Sequence, residues 1–150
     1  MSRKYPPESS YGYNTRILHR AFDRLLQRHL AEHGIKNSHW YFLRILWERE
    51  GLTQRELSNE TNLTESSTVI MLNQMEQAAL IRKENDPDDR RKLRIYLTKK
   101  AKRLEKNLLP IATRVNEIAA LGISQKELET FIRVAGRMTE NLLAPDKNAS

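Results

Sequence analysis

The chain contains no cysteine. Disulfides and thiolate metal sites are therefore excluded. No stretch approaches the roughly 20 apolar residues of a membrane-spanning helix. The opening Met-Ser-Arg-Lys-Tyr-Pro-Pro-Glu holds no apolar core of a secretory leader. A soluble, cytoplasmic protein without a membrane partner is expected. Also missing are the Gly-x-x-x-x-Gly-Lys loop, the Gly-x-Ser-x-Gly elbow and the Gly-x-Gly-x-x-Gly turn, so nucleotide and nucleophile chemistries lack their motifs. The four histidines, His19, His29, His33 and His39, do not fill the gap. His29 and His33 share a helical face, but no His-Glu-x-x-His pattern or clustered acid completes a metal site. Asp86, Asp88 and Asp89 stand beside Arg90 and Arg91, which fits a turn with an internal ion pair better than a Mg²⁺ site. No enzyme and no cofactor is expected. Repeats and low-complexity tracts are absent too.

What the chain does have is localised charge. Its 150 residues are enough for one domain with extensions, and the formal net charge is +7. Between Ile81 and Lys106 there are eleven Lys or Arg against five Asp or Glu, so this one stretch accounts for +6 of the total. A solvated helix start would also use such residues. Beside a helix that reads bases, the same footprint suits phosphate.

That helix is found just upstream. Thr53-Gln54-Arg55-Glu56 is a capping box, with Leu52 and Leu57 placed as its hydrophobic staple. Thr64 caps a second helix, and Glu65 sits favourably against its dipole. The short Glu60–Leu63 link makes the pair a helix-turn-helix. In the second helix Val69, Leu72 and Glu76, with Met75 beside them, are expected on one side. Ser67, Ile70, Met71 and Gln74 are expected opposite, on a face able to meet base edges and thymine methyls. Leu80–Glu84 and Lys92–Leu97 read as half-buried strands, and Asn85–Arg91 between them is turn chemistry. A basic hairpin following a helix-turn-helix is a wing, whose tip can carry an arginine into the narrow minor groove.

The Asp89-Arg90-Arg91 triplet, followed by Leu93, Ile95, Leu97 and Thr98, resembles the D-x-R…L-T wing pattern of the multiple-antibiotic-resistance regulator (MarR) family. With Leu52–Leu57 upstream and the flanking helices, the resemblance covers nearly the whole chain. It implies that Arg91 is the minor-groove finger and that Asp89 holds it. It also implies a groove-facing set of Thr64, Ser66, Ser67, Ile70, Met71 and Gln74. Thr53, Arg90 and Lys92 are expected as further DNA contacts. Ala78-Ala79 departs from the family, which has glycine before the first wing strand. Alanine suits a left-handed cap poorly, so this helix is expected to end differently or to run slightly longer.

The rest of the chain supplies flanks. A flexible arm is expected over residues 1–10, then helices over 11–50, the winged lobe over 51–98, helices over 99–144 and a tail over 145–150. The first helix runs from Tyr11 or Tyr13 to about His33, and the second starts at an Asn37-Ser38 cap. Pro110 is expected to kink or split the long helix after Thr98. Ser124-Gln125-Lys126-Glu127 is another capping box. The fold class is therefore mainly α with a small β-hairpin wing, a winged helix-turn-helix core between long terminal helices. Those helices carry more apolar surface than one small domain needs, which points to a homodimer reading a pseudo-palindromic operator on double-stranded DNA. A monomeric bundle is the alternative. Tyr11, Tyr13, Arg16, His19, His39, Trp40 and Arg44 mix aromatics with cations, as a pocket for a carboxylate would. The resemblance implies a small aromatic acid, or a related thioester, as effector of a repressor. Winged helices also serve as protein-docking modules, which is the reading to set against DNA binding.

Overall fold

The computed structural model describes residues 6–145. Residues 1–5 of the expected arm and 146–150 of the expected tail lie outside the described residues. The chain divides into two compact units, one ending at Val115 and the other beginning at Asn116.

In the first unit, Pro7–Ser9 forms a single 3₁₀ turn, and Ser10 caps α1 (Tyr11–Ala31) by accepting the Tyr13 N–H at 3.3 Å. Gly34, at φ +70, turns the chain after α1. α2 (Asn37–Glu48) starts without the expected side-chain cap. Instead α1 satisfies its entry. The Asn37 N–H donates to Gln27 Oε1 at 2.9 Å, and Asn37 Nδ2 donates to the Asp23 carbonyl at 2.7 Å. His39, Phe42, Leu43 and Leu46 of α2 fall on one face and are buried. Trp47 ties α2 to the helix after the wing, its Nε1–H donating to the Ala101 carbonyl at 3.1 Å.

β1 (Leu52–Thr53) leads directly into α3 (Gln54–Thr61), whose capping box forms as expected. Leu52 and Leu57, the two ends of the staple, are both buried. Asn62 takes the left-handed conformation at φ 51 and turns the chain towards α4 (Glu65–Gln77). The wing is β2 (Ile81–Asn85) and β3 (Leu93–Leu97), antiparallel with Ile81 opposite Leu97 and Asn85 opposite Leu93. β1 pairs the other side of β3, giving a three-stranded sheet in the order β1-β3-β2. The core runs through all these elements: Leu30, Phe42, Leu43, Leu46, Leu57, Leu72, Met75, Leu80, Ile95 and Leu108 are fully buried in one cluster.

α4 ends where a glycine would have ended it, with alanine in glycine's place. Ala79 stands at φ 55, the Leu80 N–H donates to the Met75 carbonyl at 2.9 Å, and the Ala79 N–H donates to that of Glu76 at 2.9 Å. This is a Schellman cap, closed by the buried pair Leu80 and Met75. The expectation of a different or longer helix end is thus corrected. Burial of that pair, and a 2.7 Å bond from Thr98 Oγ1 to the Ala79 carbonyl, hold alanine where it is unfavourable. The left-handed region costs an L-residue roughly 1–2 kcal/mol. Ala79→Gly removes that cost but returns about 0.4–1 kcal/mol to the unfolded chain. The variant is expected to be more stable by about 0.5 kcal/mol, a rise in Tm of about 1–2 °C by thermal unfolding. A lower Tm would show that Ala79 is not strained.

α5 (Lys99–Ala119) is one unbroken helix with Pro110 inside it on the exposed side, so the proline does not split it. Its buried residues, Ala101, Leu108 and Val115, recur at helical spacing. The second unit holds α6 (Gln125–Leu143), entered through Gly122 at φ +76 and the Ser124–Glu127 capping box. No residue of α6 is buried. Phe131 and Ile132 are 54% and 70% exposed, and Leu142 and Leu143 are exposed as well. Among the described residues no helix is long and apolar enough to cross a membrane.

Candidate nucleic-acid interface

α4 is anchored by Thr68, Leu72 and Met75, which are its buried residues. The expected division of its faces is corrected here. Val69 and Glu76 point outward, and Thr68 takes the inner place next to Leu72. Polarity alone misplaces Thr68. Its hydroxyl donates to the Thr64 carbonyl four residues back, at 2.9 Å, so it is buried without an unmet hydrogen bond. Met71 also differs from expectation, being half-buried against the core rather than open. Ile70, at 58% exposure, is the outward apolar residue of the set.

The start of α4 is a cluster of hydroxyls. Thr64 Oγ1 accepts the Ser67 N–H at 3.1 Å, donates to Ser67 Oγ at 2.9 Å and lies 3.2 Å from Ser66 Oγ. Ser66, Ser67 and Gln74 are all exposed. Thr53 is committed elsewhere: its Oγ1 accepts the Glu56 N–H at 3.2 Å and donates to Glu56 Oε2 at 3.0 Å. The Thr53 N–H also donates to Glu56 Oε2, at 2.7 Å, and this bond, followed by that from the hydroxyl, holds the Glu56 carboxyl below its ordinary pKa. Lys83 of β2 fixes α4 to the wing through Asn73 Oδ1 at 2.5 Å and Glu76 Oε2 at 3.1 Å.

At the wing tip Asp89 grips Arg91 as a fork. Arg91 Nε and its backbone N–H donate to Oδ1 at 3.0 and 3.1 Å, and Nη2 donates to Oδ2 at 3.1 Å. The Arg91 side chain is nevertheless 91% exposed. Its guanidinium holds the Asp89 carboxyl below the usual range, and Asp89 in turn raises the Arg91 pKa. Arg90 and Lys92 are exposed on either side. What such a tip can do is present a fixed cation to a narrow anionic groove.

Asp86 and Arg94 form a second pair, which the sequence reading did not assign. Arg94 Nε meets Asp86 Oδ2 at 2.5 Å. The Asp88 N–H, then Arg94, hold the Asp86 carboxyl low. The sequence signal was the Asp-Pro-Asp turn with an arginine across the hairpin, which turn chemistry alone leaves without a partner.

The seven residues expected to line a pocket are spread over two helices, Tyr11, Tyr13, Arg16 and His19 on α1 and His39, Trp40 and Arg44 on α2. Tyr11 and Tyr13 are exposed at the start of α1, as is Arg16. His19 lies 3.2 Å from Asp23, which also accepts the Tyr41 hydroxyl at 2.8 Å. Burial and the Asp23 carboxylate both push the Tyr41 pKa upward. His39 and Trp40 are buried in the core, and burial lowers the His39 pKa. Arg44 sits over the Trp40 ring at 5.8 Å, and Trp40 meets Trp47 edge-on at 5.7 Å. Tyr41 is the aromatic that sequence reasoning overlooked here.

Comparison with known proteins bears on both the lobe and the flanking helices. Residues 33–92 match the MarR family model. The transcriptional regulator PA3341 is 29% identical, the match covering 89% of this chain and 98% of that one with a TM-score of 0.78. MepR of S. aureus, solved as a DNA complex, is 22% identical over 88% of this chain and 98% of its own, with a TM-score of 0.81. BpsR of Bordetella bronchiseptica, whose DNA binding is regulated by 6-hydroxynicotinic acid, is 16% identical over 92% and 99%, with a TM-score of 0.84. The likeness to MepR and BpsR is one of fold.

Proposed function

We propose that the chain, whose residues 33–92 match the MarR family model and whose fold is that of MarR-type transcriptional regulators, is a winged-helix regulator of that family: a homodimeric, sequence-specific DNA-binding repressor released by a small aromatic acid or a related thioester. The observation that carries the DNA reading is the Asp89–Arg91 fork, a cation held in a defined pose yet almost wholly exposed. The exposed Ser66, Ser67, Ile70 and Gln74 of α4 supply hydroxyl, amide and methyl chemistry for base edges. Thr64 helps orient the two serines, while Thr53, with its side chain used in the cap, approaches phosphate through its place at the start of α3. Arg90 and Lys92 neutralise phosphates beside the tip.

The exposed apolar face of α6 supports a dimer, because a lone helix with such a face gains nothing by staying wet. Two lobes then read half-sites about one helical turn, roughly 10 bp, apart. BpsR supports the choice of effector, 6-hydroxynicotinic acid being an aromatic carboxylic acid. Tyr11, Tyr13, Arg16 and His19 are exposed on α1 and Arg44 lies over the Trp40 ring, so they offer aromatic and cationic groups for such an anion, whereas His39 is buried in the core. The effector acts by binding better to a dimer whose half-site spacing is wrong for DNA.

A duplex titration at two salt concentrations, using DNA around the protein's own gene, tests the reading. Nanomolar binding to one fragment is expected. It should fall on the order of 10³-fold between 50 and 200 mM salt, and weaken when small aromatic acids are added. Equal, weak binding to every fragment, or salt-insensitive binding to a protein, would move the assignment to a docking module.

A further inference from the structure

Asp86 heads the wing loop and is only 4% exposed. A carboxylate so placed needs partners, and it has them on two sides. Oδ1 accepts the N–H groups of Asp88 at 2.8 Å and Asp89 at 3.1 Å. Oδ2 takes Arg94 Nε, and Arg94 Nη1 reaches on to the Gly51 carbonyl at 2.7 Å. The loop backbone closes around this contact, with the Asp86 N–H on the Lys92 carbonyl and the Lys92 N–H on that of Asp89, each at 2.9 Å. Asp89 then grips Arg91. An unbroken line of polar contacts thus runs from the segment after α2 to the wing tip.

The inner end of the line is itself fixed. Gly51 stands at φ +77, and a Cβ there would lie 3.2 Å from the Tyr96 hydroxyl. The Gly51 N–H is bonded to the Ile95 carbonyl at 2.8 Å, so its own carbonyl has a set position. The neighbouring Glu50 accepts the Leu97 N–H at 2.7 Å and pairs with Lys102 at 2.8 Å, which pins the same segment to β3 and α5. β1 pairs only Ile95 and Arg94 of β3, so beyond Arg94 the hairpin continues as a two-stranded ribbon, and such ribbons are marginal alone.

We infer that Asp86 and Arg94 are positioning residues for Arg91: they fasten the wing tip to the Glu50-Gly51 segment and so set operator affinity without touching DNA. This rests on the reading of Arg91 as a DNA contact. Arginine is required at position 94 because Nε and Nη1 serve the carboxylate and the carbonyl together. A lysine ammonium lacks that planar, two-pronged geometry.

Four proteins decide the matter: the wild type, Arg94→Gln, Arg91→Ala and the double variant. Each is titrated with the operator fragment, and amide exchange is followed by NMR. In Arg94→Gln the Asp88 and Asp89 amides are expected to exchange roughly tenfold faster, while core amides of α2 keep their protection. Operator affinity is expected to fall roughly tenfold, and the double variant to bind no more weakly than Arg91→Ala, since both substitutions remove one contact. Multiplicative losses, with a smaller salt slope in Arg94→Gln, would make Arg94 a phosphate contact and overturn the positioning role. Unchanged exchange at Asp88 and Asp89 would overturn it without reference to DNA. If the wild type read no fragment specifically, the DNA reading would fail while the exchange result still judged the fastening.

Discussion

Arg91→Ala is expected to cost the proposed dimer on the order of 10²-fold or more in operator affinity while leaving its fold intact. A specific arginine contact is worth about 1–3 kcal/mol, and a two-fold dimer loses it twice. The fold has little to lose. The side chain is 91% exposed, and its partner is another wing-tip residue. Surface substitutions of this kind stay within about 0.5 kcal/mol. Arg91→Lys separates charge from pose. It keeps the cation but cannot make the two-pronged fork with Asp89, so it should fall between wild type and alanine. Titration of the operator, alongside circular dichroism of each variant, provides the check. Wild-type affinity in a folded Arg91→Ala protein would remove the wing from the DNA interface.

The parts of this molecule that could be read from sequence are those whose causes lie within one turn of chain. Thr53 with Glu56 and Ser124 with Glu127 spell their capping boxes in four residues each, and both form. The Asn85–Arg91 loop announces a hairpin through its own turn chemistry, and β2 and β3 pair around it. What escaped reading depends on partners far along the chain. β1 is two residues long, too short for any periodicity, and exists because Ile95 and Arg94 of β3 lie beside it. Asn37 looks like a cap, but Gln27 and Asp23 of α1 take its bonding groups. Arg94 reads as a solvated strand cation, yet it joins residues 86 and 51. Thr68 was hidden by its own hydroxyl, which is satisfied locally. Ala79 shows the limit of a propensity argument: the buried Leu80–Met75 contact outweighs a left-handed penalty that the sequence does state.

The second large effect concerns the surface that α6 leaves uncovered. Phe131→Asp is expected to turn the proposed dimer into a monomer and to lower operator affinity with it. Phe131 lies near the middle of an apolar face that includes Ala135, Met138 and Leu142, whereas Lys126, Arg133 and Arg137 lie on the opposite side of the helix. Burying a phenylalanine is worth about 2–3 kcal/mol, and two-fold symmetry counts each residue twice. Removing both rings, and asking the interface to bury two carboxylates instead, should shift dimer dissociation by on the order of 10³-fold or more. Sedimentation velocity at micromolar protein measures that shift directly. Operator binding falls because two half-sites joined in one dimer bind with an effective concentration that separate lobes lack. Arg137→Gln, on the polar side, should leave both assembly and affinity unchanged. A Phe131→Asp protein that stayed dimeric, with wild-type affinity, would mean that the face of α6 is not the interface. The α6 face would then need another cover, since sixteen or more ångströms of exposed apolar helix, about three turns, is not stable in water on its own.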